Sequence, residues 1–324
     1  MIRRLFARIV LAASVMGLVT ADVIAASWPE RPIRLIVPYA AGGGTDIIAR
    51  LLADRMTAEL GQNVIVENKP GATGTIAAEQ AARSPADGYT LFMAATSILT
   101  ITPHLRSGLK YAPLTDFEPV TLVVYQPFFL AASADFPVST VSELISLAKA
   151  KPGTLTYASF GAGSPPHLGG ELLKAATGAD MVHVPYKGGA PALVDLLGGR
   201  VSFMFIDAPP IVQHLASGKI KVLGVSTAAR TPLMPNVPSV AEAVPGFDFS
   251  AWFGLVVPTG TPPDVIKRLN TVVSGILANA DVKKRIAGLG SDAAGEGPEA
   301  FAKLIASENE KWRALIKANG IRID

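Results

Sequence analysis

The chain has 324 residues, 49% hydrophobic and 17% charged, which is too long for one compact core of usual size and too apolar for a disordered chain, so two folded domains are expected. It contains no cysteine, which excludes disulfides, thiolate-held metals and a lipid anchor on cysteine. The formal charge of +3 falls to near +1 once residues 1–26, with three arginines and one aspartate, are set aside; no Lys/Arg block follows, so nucleic acid is not an expected partner.

The N-terminus reads as an export signal. Arg3, Arg4 and Arg8 precede an apolar stretch over residues 9–19, and small residues follow at Ala21, Ala25 and Ala26. The apolar run is short for a spanning helix. Residues 1–26 are therefore expected to be a signal peptide cleaved after Ala25 or Ala26, leaving a periplasmic protein.

The mature part alternates short β-type runs with amphipathic helices, the rhythm of βαβ units and mostly parallel sheets. Strands are predicted over residues 34–39, 63–67 and 89–95, and helices over 45–60 and 74–83. The first helix carries apolar residues at Ile47, Ile48, Leu51, Leu52 and Met56 and ends at Gly61. The plan then restarts, with helices over 139–151, 166–177 and 190–197 and strands over 155–159, 181–186, 201–206 and 221–226. Prolines at 232, 235, 238 and 245 make residues 228–246 an irregular connection. Two helices close the chain, over 263–278 and 298–318; the first opens on Thr261-Pro262-Pro263-Asp264. The chain is expected to cross between lobes near 125–130 and 245–251. This gives a first lobe of 27–127 plus 250–324 and an inserted second lobe of 128–249.

Three strand–glycine–helix junctions are the candidate binding elements. The first is Val37-Pro38-Tyr39-Ala40-Ala41-Gly42-Gly43-Gly44-Thr45-Asp46. Glycines let a ligand approach backbone N–H groups closely, and the first N–H groups of a helix lack partners at its positive end. Such a junction binds an anion without a lysine or arginine. The second is Ser159-Phe160-Gly161-Ala162-Gly163-Ser164-Pro165-Pro166-His167, where Ser164 is placed to cap the helix or to donate to a ligand. The third is Val184-Pro185-Tyr186-Lys187-Gly188-Gly189, which brings one cation. Thr96 and Ser97 end one strand and Asp207 ends another, the edge where open α/β sheets bind ligands. Asp207 either accepts from a ligand or caps the next helix.

Enzyme signatures are absent. The four histidines, His104, His167, His183 and His214, have no metal spacing, and no nucleophile elbow, Walker A or G-x-G-x-x-G is present. No metal, cofactor or catalytic residue is expected. Ser164 and His167, three apart at a helix start, leave a hydrolase as a minor alternative.

The chain resembles the extracytoplasmic solute receptors of tripartite tricarboxylate transporters, the Bug family. The resemblance rests on Trp28-Pro29-Glu30-Arg31-Pro32, the 37–46 loop, Val66-Glu67-Asn68-Lys69-Pro70-Gly71-Ala72, Asp87-Gly88-Tyr89-Thr90-Leu91, Gly161-Ala162-Gly163-Ser164, Val184-Pro185-Tyr186-Lys187-Gly188, Trp252-Phe253-Gly254-Leu255 and Pro258-Thr259-Gly260-Thr261-Pro262, in that order. Ala41 stands where proline is common and Tyr39 where phenylalanine is common. The resemblance implies a two-lobe, type II-like periplasmic-binding fold that closes on its ligand like a hinged clamp. It implies a small mono-, di- or tricarboxylate, aromatic acids included, passed to membrane transporter subunits; a ligand-binding accessory of a sensor kinase needs the same clamp. The expected ligand-binding residues are Tyr39, Ala41, Gly42, Gly43, Asp46, Thr96, Ser97, Ser159, Gly163, Ser164, His167, Tyr186, Lys187 and Asp207, on a monomer.

Overall fold

In a computed structural model, residues 28–186 and 188–321 are described. The export-signal expectation and Lys187 lie outside these residues. Two mixed sheets, each covered by helices, make two lobes.

The first sheet has six strands in the order β11-β4-β10-β3-β1-β2. They are β1 (Ile33–Val37), β2 (Val64–Asn68), β3 (Thr90–Ala95), β4 (Phe117–Pro127), β10 (Ser250–Pro258) and β11 (Asp292–Ala293). β1 pairs in parallel with β2 and β3. The helices α1 (Gly44–Leu60) and α2 (Thr75–Ala82) make these crossovers. α1 buries Ile48, Leu51, Leu52 and Met56, and Gly61 closes it with φ 70°. Burying each such side chain contributes about 1.5–3 kcal/mol.

The second sheet runs β7-β6-β8-β5-β9. Its strands are β5 (Phe129–Ser133), β6 (Thr156–Ser159), β7 (Val182–Pro185), β8 (Phe203–Ile206) and β9 (Ile220–Val225). β6 is parallel to β7 and β8, and β5 is antiparallel to β8 and β9. The helices α4 (Val141–Ala150), α5 (Pro165–Thr177), α6 (Gly189–Leu197) and α7 (Ala208–Ala216) cover it, as α3 (Thr102–Leu105), α8 (Pro263–Ala278), α9 (Ala280–Gly288) and α10 (Pro298–Ala318) cover other faces.

The sheets are therefore mixed rather than mostly parallel. The strands that lead into and out of the second lobe, β4, β5 and β10, pair antiparallel, as do β9 and β11. β10 inserts between β3 and β4, antiparallel to both. β4 passes straight into β5 across Phe128, and β10 begins just after Phe249. Ser226 ties these crossings together: its Oγ donates to the Phe249 carbonyl at 2.6 Å and accepts from the Phe128 N–H at 3.0 Å.

α10 belongs to both cores. Phe301 and Ile305 pack into the cluster beneath the first sheet. Trp312, Leu315 and Ile316 pack into the cluster of the second lobe with Phe128, Phe205 and Phe249. A second inter-lobe contact runs through the turn before β11. Thr231 Oγ1 donates to Asp292 Oδ2 at 3.0 Å. Gly290, at φ +74°, sits so close to α7 that a Cβ there would lie 2.6 Å from Pro209 Cδ.

Candidate functional site

The candidate site lies at the carboxyl ends of β1 and β3 in the first lobe and of β6 and β8 in the second. The β1 junction is held by Asp46, which is 2% exposed. One Asp46 oxygen accepts from the Gly42 N–H at 2.8 Å and Arg50 Nε at 3.0 Å; the other accepts from Asn68 Nδ2 at 2.9 Å. The same Asn68 amide donates to the Tyr39 carbonyl at 3.0 Å. Burial pushes the Asp46 carboxyl up, but Arg50, the Gly42 N–H and Asn68 together hold it below the usual range. Asp46 is thus saturated by the protein and shapes the loop.

That shaping leaves donors uncovered. α1 starts at Gly44 with Gly43 as its N-cap, and no side chain caps it. All three residues of its first turn, Gly44, Thr45 and Asp46, carry an N–H, so nothing in the sequence depletes this end. A Cβ at Gly42 or Gly44 would meet nothing within 4 Å, and one at Gly43 only the Ala40 carbonyl at 3.6 Å. Ala41 and the three glycines are exposed. An anion can therefore approach the positive end of a 17-residue helix without a side chain in the way.

Ser97 joins this loop directly. Its Oγ lies 3.2 Å from the Tyr39 hydroxyl. It begins a π-helical turn, Ser97–Ile101, that runs into α3; such turns recur at functional sites. Burial raises the Tyr39 phenol's pKa, so it is a neutral donor or acceptor. Thr96, its neighbour, is 1% exposed. Its Oγ1 accepts from the Trp252 N–H at 2.7 Å, so it ties β3 to β10.

The second glycine junction is built differently. Ser159 Oγ accepts from the Gly161 N–H at 3.1 Å, and Ser164 Oγ donates to the Gly161 carbonyl at 2.7 Å. The Gly163 N–H donates to His167 Nδ1 at 3.0 Å. The first two residues of α5, Pro165 and Pro166, have no N–H. The loop thus satisfies most of its own donors, and α5 presents fewer than α1. Ser164 neither caps α5 nor bonds to His167, so the two do not form a nucleophile–base pair.

His167 also stacks on His183, with ring centroids 3.9 Å apart. His183 Nε2 lies 2.7 Å from Ser159 Oγ, and its other face stacks on Tyr157. Tyr157 donates to Glu171 at 2.6 Å, and Lys174 pairs with the same oxygen at 3.0 Å. Burial lowers the pKa of both imidazoles, and His167 lowers that of His183 further, to about 4. Both are neutral at neutral pH, and they support the loop from behind. In the unfolded chain they titrate near 6.5. Below that value the unfolded state binds more protons, so their contribution is present above about pH 6.5 and is lost as pH falls towards about 4. The thermal midpoint is expected to fall through that window. In His183→Asn that fall is expected to be shallower, and an unchanged slope would assign the acid sensitivity elsewhere.

Tyr186 donates to Asp195 at 2.7 Å, so its hydroxyl is turned onto α6. Asp207 follows the end of β8, whose parallel neighbour β6 ends at Ser159. Sequence reasoning passed over Asn68, Arg50 and His183. Asn68 stood inside a quoted motif, but its role depends on a fold that brings β2 beside β1.

Comparison with known proteins gives the family of the chain. Residues 48–321 match the family described as "Tripartite tricarboxylate transporter family receptor". An R. palustris protein solved with adipate is 36% identical, with a TM-score of 0.78 over 92% of this chain and 100% of that one. The periplasmic binding protein BugD is 36% identical, with a TM-score of 0.73 over 91% of this chain and 100% of its own. MatC from Rhodopseudomonas palustris, solved with bound malate, is 35% identical, with a TM-score of 0.73 over 89% and 100%.

Proposed function

Because the chain belongs to the tripartite tricarboxylate transporter receptor family, we propose that it captures a small carboxylate in the periplasm and hands it to the membrane subunits of such a transporter. The reading is of a monomer, freed of residues 1–26, whose lobes 27–127 plus 250–324 and 128–249 close over the ligand. The observation that carries it is the uncapped start of α1, with glycines at 42–44 facing open space. A carboxylate there accepts from the first-turn N–H groups while Ser97 and Tyr39 bond its flank. Ala41, Gly42 and Gly43 set the approach. Asp46, Ser159, Gly163, Ser164 and His167 shape the two loops, Thr96 ties β3 to β10 next to Ser97, Tyr186 fixes the third loop, and the sequence adds the cation of Lys187 to it. Adipate and malate, bound by relatives, are both dicarboxylates.

Thermal unfolding of residues 27–324 against mono-, di- and tricarboxylates tests this. A ligand at 100 times its Kd adds about 2.7 kcal/mol to the folded state. At roughly 2–4 °C per kcal/mol, the midpoint is expected to rise by several degrees. The matched amides are expected to give no shift. Equal shifts with acids and amides would overturn the carboxylate assignment.

A further inference from the structure

Asp207 stands at the N-cap of α7 and does not cap it. An N-cap carboxylate ordinarily accepts from the N–H of the second or third helical residue. Here those residues are Pro209 and Pro210, which have none. The sequence Asp207-Ala208-Pro209-Pro210 therefore denies this carboxylate its usual partners. Among the described residues no side chain bonds to it; burial raises its pKa, opposed only by a hydrogen bond from its own backbone N–H.

Its position gives the group a use. Phe129 of β5 pairs with Ile206, so Asp207 lies beside the Phe128 crossing between lobes. On its other side β6 runs parallel to β8, bringing the Ser159 loop alongside. Ala208 and Pro209 abut Gly290 of the first lobe. Asp207 is thus half-buried where the lobes meet, at the same strand edge as the candidate ligand loops.

An ionised carboxylate only accepts hydrogen bonds, and it repels a second anion. We propose that Asp207 sets specificity by accepting from a hydrogen-bond donor, an ammonium or a hydroxyl, on the ligand's carbon skeleton. This rests on the carboxylate-receptor reading: α1 takes the carboxylate, and Asp207 selects ligands that carry a donor over plain diacids.

Succinate, malate and aspartate share one skeleton and differ in one substituent, so calorimetric titration of the mature protein with each tests the assignment. Malate, aspartate or both are expected to bind about tenfold or more tightly than succinate, the loss typical of removing one partner from a charged hydrogen bond. Asp207→Ala is expected to erase that advantage while still binding succinate. Asp207→Asn, which keeps an acceptor without charge, separates the donors: an ammonium preference is lost and a hydroxyl preference is largely kept. Unfolding midpoints of both variants without ligand check that the fold is intact. Equal binding of the three ligands by the wild type, or a preference unchanged in Asp207→Ala, would overturn the role of Asp207 and leave the receptor reading standing. Failure of every carboxylate to bind would overturn both.

Discussion

Gly43→Val is expected to weaken carboxylate binding by about 100-fold or more, the cost of losing two charge-assisted hydrogen bonds. Gly43 is the clean probe of the first loop for a conformational reason. Its φ of −76° and ψ of 165° suit any residue. A Cβ there touches only the Ala40 carbonyl, at an ordinary 3.6 Å. Gly42, at φ +84°, would confound a loss of binding with backbone strain. Valine at 43 leaves the helix intact but stands in the approach to its first N–H groups. Because valine is a poor N-cap, a cost of about 1 kcal/mol is expected, a few degrees in midpoint. Titration of the variant with a ligand found for the wild type, beside a melting curve, checks both numbers. Unchanged affinity would remove the first loop from the site.

Trp312→Ala is expected to cost about 3–5 kcal/mol, as for other buried tryptophans. The side chain is 0% exposed, and its Nε1 donates to Glu308 at 2.7 Å. At roughly 2–4 °C per kcal/mol the midpoint falls by about 6–20 °C. The site of the loss matters more than its size. Trp312 sits on a helix whose start is rooted in the first lobe by Phe301 and Ile305, yet it fills the core of the second. The cavity therefore opens at the joint between lobes, and ligand affinity is expected to fall with stability. A variant that melted as the wild type does would show that the end of α10 is not anchored where it lies.

Much of this was legible in the sequence because local signals carried it. The helices 263–278 and 298–318 stand where their proline starts and apolar spacing place them. α1 differs from its predicted span only by starting at Gly44. The strands of the βαβ units are within two residues of their expected positions. Of the antiparallel strands β9 was read, but β4, β5 and β10 were not: they lie in stretches where apolar runs, prolines and polar residues mix without a clean period. Their assignment comes from long-range pairing, and with it comes the mixed character of both sheets. The same divide runs through the site. The glycine junctions were visible as motifs, but their inequality was not. That α1 keeps its donors while the second loop uses its own follows from side-chain bonds such as His167 to Gly163. Pro165-Pro166 and Pro209-Pro210 were in plain view, and each removes two donors from a helix start.

The place of β10 has a consequence for how the molecule comes together. It fills the gap between β3 and β4, and the Thr96–Trp252 hydrogen bonds join residues 156 apart in sequence. The second sheet, by contrast, is drawn entirely from residues 129–225. A chain emerging amino end first can pair its whole second sheet while the first still lacks the strand between β3 and β4. The parallel trio of β1, β2 and β3 must wait with an open edge until residue 258 has appeared, and open edges invite mispairing. Assembly of the first lobe thus waits on a slow, long-range closure of the kind that high contact order imposes.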